Sequence, residues 1–501
     1  MRLLSELLTG EAVAVSAGHK ATDVRIDGLT ADSRDVRDGF LFAALPGVKM
    51  DGRQFIGAAI AKGAAAILAP SGTDMPDIVV GRAKSDKPFG FVTDDNPRRK
   101  LALMAARFYG AQPASVVAVT GTNGKSSVVS FTRQIWALMG IDGASLGTLG
   151  LNSPKLQTGG SLTTPDPVAL HRTLAELKAA GAEHVALEAS SHGLAQYRLD
   201  GLTLTAAAFT NLTRDHLDYH GDEQSYFEAK ARLFSDILPE GGIAVLNADE
   251  PRFEELRVLC AARRQRVIAF GEAGTDIRID ILEVLPDGQR VAFAIAGEYA
   301  EVKLPLVGHF QTMNVACALG LVIAGGSAAR AALATLERLD GVDGRMQLAA
   351  RHPAGAAVYV DYAHTPDALA NVLGALRPHT RGRLMVVFGC GGDRDPGKRP
   401  QMGRIAGELA DIVIVTDDNP RSEDAAVIRR QVLAGVTAKT PIEIADRSEA
   451  ICTATDMMQN GDVLVLAGKG HEQGQIVGAT TIPFNDADEA RKAVARLGGT
   501  A

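Results

Sequence analysis

The sequence predicts an α/β fold of three domains with parallel sheets, and three observations support this prediction. Short apolar runs alternate with helical patterns along most of the chain. These runs lack alternation of apolar and polar residues, which is expected where helices cover both faces of a parallel sheet. The 501 residues also exceed what one core holds, since domains contain roughly 100 to 200 residues.

The predicted strands fall into groups along the chain. Before residue 95 the pattern is short and irregular, with DGFLFAAL and AAAILA as strand candidates. A central group contains SVVAVT, EHVALE, LTAAAFT and GGIAVLN, and a C-terminal group contains AAVYVDY, RLMVVFG, DIVIVTD and DVLVLAG. The segment GVDGR, residues 341–345, is a hinge candidate between these two groups. We therefore predict domains at residues 1–95, 96–344 and 345–501.

Composition excludes several classes of function. The net charge of -7, from 52 Lys plus Arg against 59 Asp plus Glu, argues against broad binding of nucleic acid or an anionic membrane. The four cysteines show no CxxC spacing and suit a reducing cytosol. The N-terminus lacks the apolar core of a signal peptide, and the longest apolar run falls well short of the ~20 residues of a membrane span. We expect a cytoplasmic protein without a membrane span or a nucleic-acid partner.

The segment VVAVTGTNGKSSVV runs from strand through glycine loop to helix, the context in which a phosphate-binding loop is expected. Gly121 and Gly124 would let backbone N–H groups wrap phosphate oxygens at the helix N-terminus. Lys125 would reach the β- and γ-phosphates, and Ser126 would hold Mg²⁺. Val119 stands where the general pattern GxxxxGK[ST] has glycine, so an ordinary glycine-rich turn stays as the alternative.

Polar residues follow the next strands of the central group. Glu188 comes directly after an apolar run, where a nucleotide-bound Mg²⁺ usually finds a carboxylate. The segments NLTRDHLDYHG and YFEAKARLF then supply His216, His220 and Lys230. Together with His192, three histidines stand in loops after neighbouring strands, so we expect at least one of them to be a metal ligand.

Eleven segments follow one another along the chain: TGTNGKSS, TTPDP, EASSHGL, NLTRDHLDYHG, YFEAKARLF, GHFQTMN, GVDGRMQ, DYAHTPDAL, GCGGDRDPGKRP, TDDNPR and AGKGHE. Their order resembles that of the Mur ligases of peptidoglycan synthesis, and within them the enzymes that add the third peptide residue. The resemblance covers essentially the whole chain. It implies a small N-terminal UDP-binding α/β domain, a central P-loop ATPase-like domain with a parallel sheet and a C-terminal Rossmann-like α/β domain that binds an amino acid.

The resemblance implies an ATP-dependent ligase that joins a carboxylate to an amine. The γ-phosphoryl group passes to the carboxylate, and the amine then displaces phosphate from the acyl phosphate. Because this transfer gathers negative charge, we expect catalysis by positioning and by cations. The implied small-molecule substrates are ATP, UDP-N-acetylmuramoyl-L-alanyl-D-glutamate and an amino acid, with Mg²⁺ as cofactor and the protein acting as a monomer.

The resemblance also implies a catalytic set. Ser126 and Glu188 would hold one Mg²⁺, and Glu188 with His216 a second. The matching lysine of the family is carbamylated, so we predict that Lys230 carries a CO₂-derived carbamate and is a metal ligand. A helix-surface lysine is the alternative. With Lys125, these residues give the predicted catalytic residues Lys125, Glu188, His216 and Lys230.

Two binding sets follow from the same resemblance. The ATP-binding set is Gly121, Thr122, Asn123, Gly124, Lys125, Ser126, Ser127, Asn314, Arg345, Asp361 and His364. The set for the UDP-linked dipeptide is Ser33, Thr163, Thr164, Ser190, Gln196 and Arg198. At Gln311 the family often has Asn, so no role is carried over. A helix cap with its neighbour is the alternative for Asp361 and His364, and a surface turn is the alternative for Ser33.

The stretch TDDNPR occurs twice, at residues 93–98 and 416–421. Both copies lie between an apolar run and a helical pattern, and in both we expect Asn as helix N-cap and Pro at the first helical position. Arg98 is therefore interpreted as a solvated helix start. In the resembled family, enzymes that add meso-diaminopimelate resemble DNPR at the second place, and those that add lysine typically lack its arginine.

Diaminopimelate carries a second carboxylate where lysine ends in an ammonium group. Arg421 could bind that carboxylate with two parallel N–H bonds and would repel lysine at the same point. The predicted diaminopimelate-binding residues are Arg394, Asp418, Asn419, Pro420, Arg421, Gly468 and Glu472. The implied reaction is the ATP-dependent addition of meso-2,6-diaminopimelate to the D-glutamate of the UDP-linked dipeptide.

Other hypotheses stay open. The lysine-adding relative is the first, and a folylpolyglutamate-synthetase-like ligase is the second, disfavoured because DSRDVRDGFLFAALPG resembles the UDP-binding domain. A nucleotide-driven switch or transport ATPase explains GTNGKSS and Glu188 but leaves Lys230, DYAHTPD and DNPR without a purpose. A catalytically silent binding protein is disfavoured by the presence of the four predicted catalytic residues.

Overall fold

The computed structural model describes residues 1–8, 14–15, 24–47, 50–74, 88–160 and 162–500. The chain divides into two compact units, the first containing Met1–Ala269 and Gly320–Ser327 and the second Phe270–Leu319 and Ala328–Ala501. The limits of the three domains expected from the sequence stay a prediction. Within the described residues, no helix is long and apolar enough to cross a membrane.

The first unit begins with a small α/β layer, in which DGFLFAAL and AAAILA form strands as predicted. Its strands are β1 (Arg2–Leu3), β2 (Ala14–Val15), β3 (Arg25–Ile26), β4 (Gly28–Thr30), β5 (Phe40–Ala43), β6 (Ala66–Pro70) and β7 (Gly90–Asp94). They pair in the order β2-β7-β6-β5-β4, parallel from β4 to β7, while β1 pairs with β3. The helices are α1 (Leu4–Leu8), α2 (Ile56–Ala61) and α3 (Pro97–Tyr109).

A larger sheet follows in the same unit. Its strands are β8 (Ser115–Thr120), β9 (Gly143–Gly147), β10 (Gly150–Asn152), β11 (Gln157–Thr158), β12 (His184–Glu188), β13 (Ala206–Phe209), β14 (Ile243–Asn247) and β15 (Arg266–Gly271). The order is β11-β10-β9-β12-β8-β13-β14-β15, and β9, β12, β8, β13 and β14 run parallel. The helices are α4 (Lys125–Leu138), α5 (Pro167–Ala179), α6 (Ser191–Ala195), α7 (Leu217–His220), α8 (Glu223–Arg232) and α9 (Phe253–Ala262). The carboxyl ends of β12, β8 and β13 therefore lie side by side.

The second unit contains an antiparallel meander that the prediction of parallel sheets missed. Its strands are β16 (Ile277–Leu285), β17 (Gly288–Ile295) and β18 (Glu298–Leu304). Ile277 and Ile279 are buried while Arg278 and Asp280 are exposed, so one face is covered and the other faces water. Helix α10 (His309–Ala324) follows, of which residues from Gly320 onward belong to the first unit, and then α11 (Ala329–Leu333) in the second.

The C-terminal sheet of the second unit is mostly parallel. Its strands are β19 (Gln347–Arg351), β20 (Ala357–Asp361), β21 (Leu384–Phe388), β22 (Ile412–Val415), β23 (Ile442–Glu443) and β24 (Val463–Ala467), and a hairpin of β25 (Gly474–Val477) and β26 (Thr480–Pro483) follows. The order is β19-β20-β24-β21-β22-β23, with β19 antiparallel at the edge. The helices are α12 (Pro366–Leu376), α13 (Lys398–Leu409), α14 (Ala425–Leu433), α15 (Arg447–Asp456) and α16 (Asp486–Arg496).

The ends of four parallel strands in this sheet are level. Asp361 pairs in register with Ala467, Ala467 with Phe388, and Phe388 with Val415. The loops after β20, β24, β21 and β22 therefore leave from one edge, where open α/β sheets bind their ligands.

The first TDDNPR copy forms the predicted helix start, but its arginine is less exposed than expected. The Asn96 side chain accepts a hydrogen bond from the Arg99 N–H, and Pro97 begins α3. Arg98 stands at this helix start, half-buried, and donates to the Pro46 carbonyl.

The prediction of a helix start in the second copy is wrong. Helix α14 begins only at Ala425, where the Asp424 carboxylate accepts from the Ala426 N–H. Arg421 instead has a left-handed backbone, with a φ of 51°. A run of six identical residues thus begins a helix in one place and forms a loop in the other.

Candidate functional site

A glycine loop joins β8 to α4 at the carboxyl end of the larger sheet. Gly121 has a φ of 141°, and a Cβ there would lie 2.0 Å from Thr210 Oγ1, so the position requires glycine. Thr210 Oγ1 donates to the Asn123 carbonyl at 2.6 Å, and the Asn123 N–H donates to Asn211 Oδ1 at 2.9 Å. The segment after β13 therefore holds the predicted phosphate loop in place.

Two lysines converge on one carbonyl of this loop. Lys125 Nζ donates to the carbonyls of Gly121 (2.9 Å) and Thr122 (2.8 Å), and Lys230 Nζ donates to Gly121 at 2.7 Å. Lys230 is only 1% exposed. Burial, and then the charge of Lys125, hold the pKa of Lys230 well below its usual range, against the smaller opposing effect of Asp215. The Lys230 side chain is therefore biased toward the neutral amine.

Glu188 lies at the end of β12, next to β8 in the sheet. Its side chain is 2% exposed. Oε1 accepts from the Thr148 N–H at 2.8 Å, and Oε2 from the Thr148 hydroxyl at 3.2 Å. A Cβ on Gly147 would lie 2.1 Å from Glu188 Oε1, so glycine at that position leaves room for the carboxylate.

Magnesium fits the oxygen donors of this edge only together with nucleotide phosphates. Within the described part of the chain, no three or more His, Cys, Asp or Glu side chains are arranged to hold a metal ion. Glu188 and the buried Ser126, in the first turn of α4, supply a carboxylate and a hydroxyl. Mg²⁺ in nucleotide sites usually takes one or two carboxylates plus substrate phosphates, so this donor set is compatible with it.

The three histidines singled out in the sequence come together beside Lys230. The ring centroid of His192 lies 4.8 Å from that of His216 and 5.6 Å from that of His220. His220 in turn lies 5.2 Å from the Tyr226 ring, over which Lys230 Nζ stands at 4.3 Å. His216 has a left-handed backbone, and its side chain is 47% exposed. The cluster therefore reaches from the buried amine to the surface.

A cavity of about 1070 Å³, the N-terminal cavity, is lined by the loop after β4 and by the start of α5. Ser33 lines it, and the Ser33 carbonyl accepts from Lys62 Nζ at 2.8 Å. The Arg34 guanidinium binds the Asp32 carboxylate and lowers the pKa of Asp32 to about 2. Aromatic lining comes from Phe40, Phe42 and Phe55.

The residues predicted to hold the rest of the UDP-linked substrate form a hydrogen-bonded cluster. Thr164 Oγ1 donates to the Glu188 carbonyl and accepts from the Ser190 N–H, both at 2.9 Å. Arg198 donates to the Thr164 carbonyl at 2.6 Å and to Gln196 Oε1 at 2.8 Å. The cluster comprises Thr164, Ser190, Gln196 and Arg198, and the neighbouring Thr163 is bonded through its hydroxyl to Thr148, which binds Glu188. It connects Glu188 to the chain that enters α5 and lines the N-terminal cavity.

The other predicted ATP residues lie in the second unit. Asn314 Nδ2 donates to Gln311 Oε1 at 3.1 Å, and Gln311 Nε2 donates to the Arg345 carbonyl at 3.2 Å. His364 is exposed just after β20, and its Nδ1 lies 2.8 Å from the Tyr362 carbonyl. Gln311, to which the sequence assigned no role, thus links the two predicted residues Asn314 and Arg345.

The Asp361 carboxylate binds backbone N–H groups and does not cap a helix. Its carboxylate accepts from the N–H groups of Met346 (2.7 Å) and Ala363 (2.8 Å), whereas Thr365 caps α12. Burial raises the pKa of Asp361, and the charge of Arg345 opposes this effect. Asp361 therefore fixes the segment that directly follows Arg345.

Tyr362 is a central residue that the sequence analysis missed. The Arg345 guanidinium lies 4.7 Å from its ring centroid, and the rings of His364 and His471 lie 4.6 and 5.3 Å away. An aromatic residue immediately after a strand end was the available signal. Tyr362 brings the predicted phosphate-side arginine next to the loop after β24.

The loops after β22 and β24 approach each other closely. Gly468 has a φ of 114°, and a Cβ there would lie 2.8 Å from Asp418 Oδ2. The Gly468 N–H donates to the Asp361 carbonyl at 3.1 Å, and Asp418 Oδ1 accepts from the Asn419 N–H at 2.7 Å. Glycine at position 468 therefore lets the Asp418 carboxylate lie against this loop.

Asn419 joins the same two loops through its side chain. Oδ1 accepts from Lys469 Nζ (3.0 Å) and from the Ile476 N–H (2.9 Å), and Nδ2 donates to Glu472 Oε2 at 2.9 Å. Lys469 Nζ also donates to Glu472 Oε2, at 3.0 Å. These bonds occupy the side chain that was expected to cap a helix, which explains why no helix begins there.

Arg421 lies between the loops after β21 and β22. Its N–H donates to the Ile476 carbonyl at 3.1 Å, and one guanidinium nitrogen donates to the Gly392 carbonyl at 2.8 Å. The buried Arg399 donates to the Gly391 carbonyl at 3.3 Å and to Glu423 at 2.9 Å, which fixes the loop under Arg421. Arg394 is exposed on the same loop.

Comparison with known proteins identifies the family. The Mur ligase family catalytic domain matches residues 25–109, the Mur ligase middle domain residues 119–322, and the Mur ligase glutamate ligase domain residues 344–470. A Rhizobium meliloti protein named UDP-N-acetylmuramoyl-L-alanyl-D-glutamate--2,6-diaminopimelate ligase is 50% identical over 95% of this chain and 96% of its own length. The chain belongs to the Mur ligase family.

Further Mur ligases agree with this assignment. A Brucella melitensis protein of the same name is 51% identical over 98% of this chain and 97% of its own length. A solved structure of a ligase of that name has a TM-score of 0.72, with 32% identity and full coverage of both chains. MurF from Acinetobacter baumannii, 19% identical over 93% of this chain and 95% of its own, shares the fold at a TM-score of 0.63. The predicted three-domain α/β fold is confirmed, and Mur ligases form amide bonds with ATP as a substrate.

In this Mur ligase the predicted site residues fall into two groups, each described within its own unit. The first unit contains Ser33, Gly121, Thr122, Asn123, Gly124, Lys125, Ser126, Ser127, Thr163, Thr164, Glu188, Ser190, Gln196, Arg198, His216 and Lys230. The second contains Asn314, Arg345, Asp361, His364, Arg394, Asp418, Asn419, Pro420, Arg421, Gly468 and Glu472. The role of each residue in binding or catalysis stays a prediction.

The close contact at Gly121 gives a testable prediction. We expect Gly121→Ala to lower ATP affinity and ATP-dependent turnover by about 100-fold or more, because the added Cβ displaces the loop from Thr210. Gly374→Ala, at a helical site with nothing within 4 Å, is the control and should leave both unchanged. Calorimetric titration with ATP and a phosphate-release assay measure the two effects. Normal ATP affinity in Gly121→Ala would contradict the assignment of this loop.

Proposed function

We propose that this Mur ligase adds meso-2,6-diaminopimelate to the D-glutamate of UDP-N-acetylmuramoyl-L-alanyl-D-glutamate, with ATP converted to ADP and phosphate. The observation that carries the proposal is that Arg421, Asp418 and Glu472 stand on loops that leave the same edge of the C-terminal sheet, where Asn419 binds Glu472 and Gly468 lets Asp418 approach. The far end of diaminopimelate bears a carboxylate and an ammonium group on the same carbon. A guanidinium beside carboxylates complements both charges, and the relatives that are about 50% identical carry the corresponding name.

We infer that the UDP-linked substrate binds along the first unit, from the N-terminal cavity toward Glu188. The N-terminal cavity has the size of a nucleotide site. Its lining includes the start of α5, which closely follows Thr163 and Thr164 in the chain. The Thr164 cluster then leads to Glu188 beside the phosphate loop. We infer that the uridine end lies by Ser33 and the acceptor carboxylate near Glu188.

The proposed chemistry proceeds in two steps. An acceptor carboxylate oxygen attacks the γ-phosphorus, the bond to the β-phosphate bridging oxygen breaks, and ADP leaves. The unprotonated amine of diaminopimelate then attacks the acyl carbon, the C–O bond to phosphate breaks, and a proton is lost from nitrogen. Backbone N–H groups of the glycine loop and Lys125 would hold the phosphates through both steps, as positioning and charge stabilisation require. Bound Mg²⁺, held by Ser126, Glu188 and the phosphates, would neutralise the charge that accumulates.

We also propose that Lys230 is carbamylated. Only a neutral amine adds CO₂, forming an N–C bond and releasing a proton, and the lowered pKa of buried Lys230 favours that form. The product is an anion next to Lys125, so attraction replaces the repulsion between two ammonium groups. A carbamate at this position, near His216, would provide the additional oxygen ligand for a second Mg²⁺. The cytoplasmic location and the monomeric state expected from the sequence stay predictions.

The proposed reaction predicts a strict requirement for two co-substrates. Purified protein with ATP and Mg²⁺ should release phosphate only when both UDP-N-acetylmuramoyl-L-alanyl-D-glutamate and meso-diaminopimelate are present. Mass spectrometry should then find the UDP-linked tripeptide. Equal turnover with L-lysine in place of diaminopimelate would favour the lysine-adding alternative, and phosphate release without either co-substrate would favour an ATPase.

The two TDDNPR copies supply a matched pair of variants. Arg421→Ala should lower kcat/KM for diaminopimelate by about 10- to 100-fold, the loss expected for hydrogen bonds to a charged group, with the KM for ATP unchanged. Arg98→Ala removes the same residue from the identical hexapeptide at a helix start and should change kcat/KM for diaminopimelate by less than about twofold. The UDP-linked dipeptide is kept saturating, because Arg98 interacts with Arg198 of the dipeptide-binding set. Steady-state kinetics with varied diaminopimelate measure both. An Arg421→Ala enzyme that keeps its preference for diaminopimelate over lysine contradicts the assignment.

Carbamylation of Lys230 can be observed directly. Protein equilibrated with ¹³C-bicarbonate should show a carbamate carbon resonance that is absent from Lys230→Met. We expect turnover of that variant to fall by about 100-fold, the upper range for loss of a group that supports a metal. Lys303→Met, at an exposed position on β18, is the control and should keep both the signal and the activity. A Lys230→Met enzyme with normal turnover would refute the proposal.

A further inference from the structure

Lys469 is a fully buried charged side chain beneath the proposed amino-acid site, and none of the predicted roles includes it. It is 0% exposed. Its Nζ donates to Asn419 Oδ1 and to Glu472 Oε2, both at 3.0 Å. A buried ammonium group is costly unless it is paired and hydrogen-bonded, so this position is maintained by those two partners.

The same contacts determine how much charge Glu472 presents to a ligand. Glu472 Oε2 accepts from both Lys469 Nζ and Asn419 Nδ2. The Glu472 side chain is 31% exposed, so the carboxylate is bonded on its inner side and open on its outer side. Lys469 therefore offsets the negative charge of Glu472 from within the protein.

The balance of charge at the site depends on this pair. Without Lys469, the Glu472 carboxylate would lose the cation that contacts its Oε2, and the more distant charge of the buried Arg447 would be shared between Glu472 and Asp418. The extra negative charge would repel the second carboxylate of diaminopimelate, whereas an amino acid that ends in an ammonium group alone would gain attraction. Selectivity is a difference between two affinities, and a buried charge shifts that difference without touching the ligand.

We propose that Lys469 is a specificity-determining positioning residue, which holds Asn419 and neutralises Glu472 so that the site accepts a diamino-dicarboxylic acid in preference to a diamino-monocarboxylic acid. This inference rests on the proposed function. A purely structural role for Lys469 would weaken both classes of amino acid equally and would lower thermal stability. If Lys469 acts through its charge, its loss instead lowers the affinity for diaminopimelate while the affinity for an amino acid that ends in an ammonium group stays the same or rises.

The decisive experiment compares diaminopimelate with L-lysine in the full-length enzyme with ATP, Mg²⁺ and the UDP-linked dipeptide. The KM for diaminopimelate and the inhibition constant of L-lysine against it are measured for wild type and Lys469→Met, whose side chain has similar length without charge. We expect the KM for diaminopimelate to rise by about tenfold, as for a change of one partly screened charge. The inhibition constant of L-lysine should stay the same or fall, and the KM for ATP should stay within about twofold. Equal weakening of both amino acids overturns the inference.

A second variant keeps the test decisive if Lys469→Met fails to fold. Glu472→Gln removes the opposite charge of the pair at a partly exposed side chain. Its ratio of diaminopimelate to lysine affinity should move in the opposite direction, because the unpaired Lys469 then disfavours a substrate whose far end carries only an ammonium group. A ratio that is unchanged, or that shifts toward lysine, overturns the inference.

The wild-type measurement separates this inference from the function on which it rests. A wild-type enzyme that does not use diaminopimelate refutes the proposed function. A wild-type enzyme that uses it, with variants that keep the wild-type ratio of affinities, refutes the role of Lys469 alone.

Discussion

The level carboxyl ends of β20, β24, β21 and β22 are the constraint on which the second unit depends. Parallel strands in register deliver their loops to one edge, and each loop here carries side chains whose charges must be satisfied there. The Asp361 carboxylate accepts hydrogen bonds from two backbone N–H groups. The Asn419 amide binds the side chains of Lys469 and Glu472 on the loop after β24. The edge is therefore assembled by polar contacts between loops, which also fix the direction of the groups left open to a ligand.

The first unit likewise brings charged side chains close together, at the ends of β8, β12 and β13. Glycine at positions 121 and 147 leaves room for the side chains of Thr210 and Glu188. The Gly121 carbonyl accepts hydrogen bonds from both Lys125 and Lys230. Two like charges on one buried oxygen are unfavourable, and the structure relieves this by favouring a neutral Lys230. Because the neutral amine is the form that adds CO₂, the burial and the neighbouring charge that lower the pKa of Lys230 also favour the carbamylation proposed for it.

The elements that depend on local pattern could be predicted from the sequence. The apolar runs, the glycine loop before α4 and the N-cap at Asn96 follow from propensity and short-range hydrogen bonds. The meander of β16 to β18 was not predicted, because its strands alternate buried and exposed residues and so lack the continuous apolar runs that indicate buried parallel strands. The contacts of Tyr362 with Arg345 and of Lys469 with Asn419 could not be predicted in this way, since these partners are distant in sequence and only the folded chain brings them together.

The identical hexapeptides show what a short motif does and does not specify. In the first copy the asparagine side chain caps the helix N-terminus. In the second copy it hydrogen-bonds to the side chains of Lys469 and Glu472 and to the Ile476 N–H. The arginine that follows is consequently presented on different backbones. A search that scores six residues as a string would rank both copies equally, although one begins a helix and the other forms a loop at a strand end. The information that separates them resides in the residues that bind the asparagine.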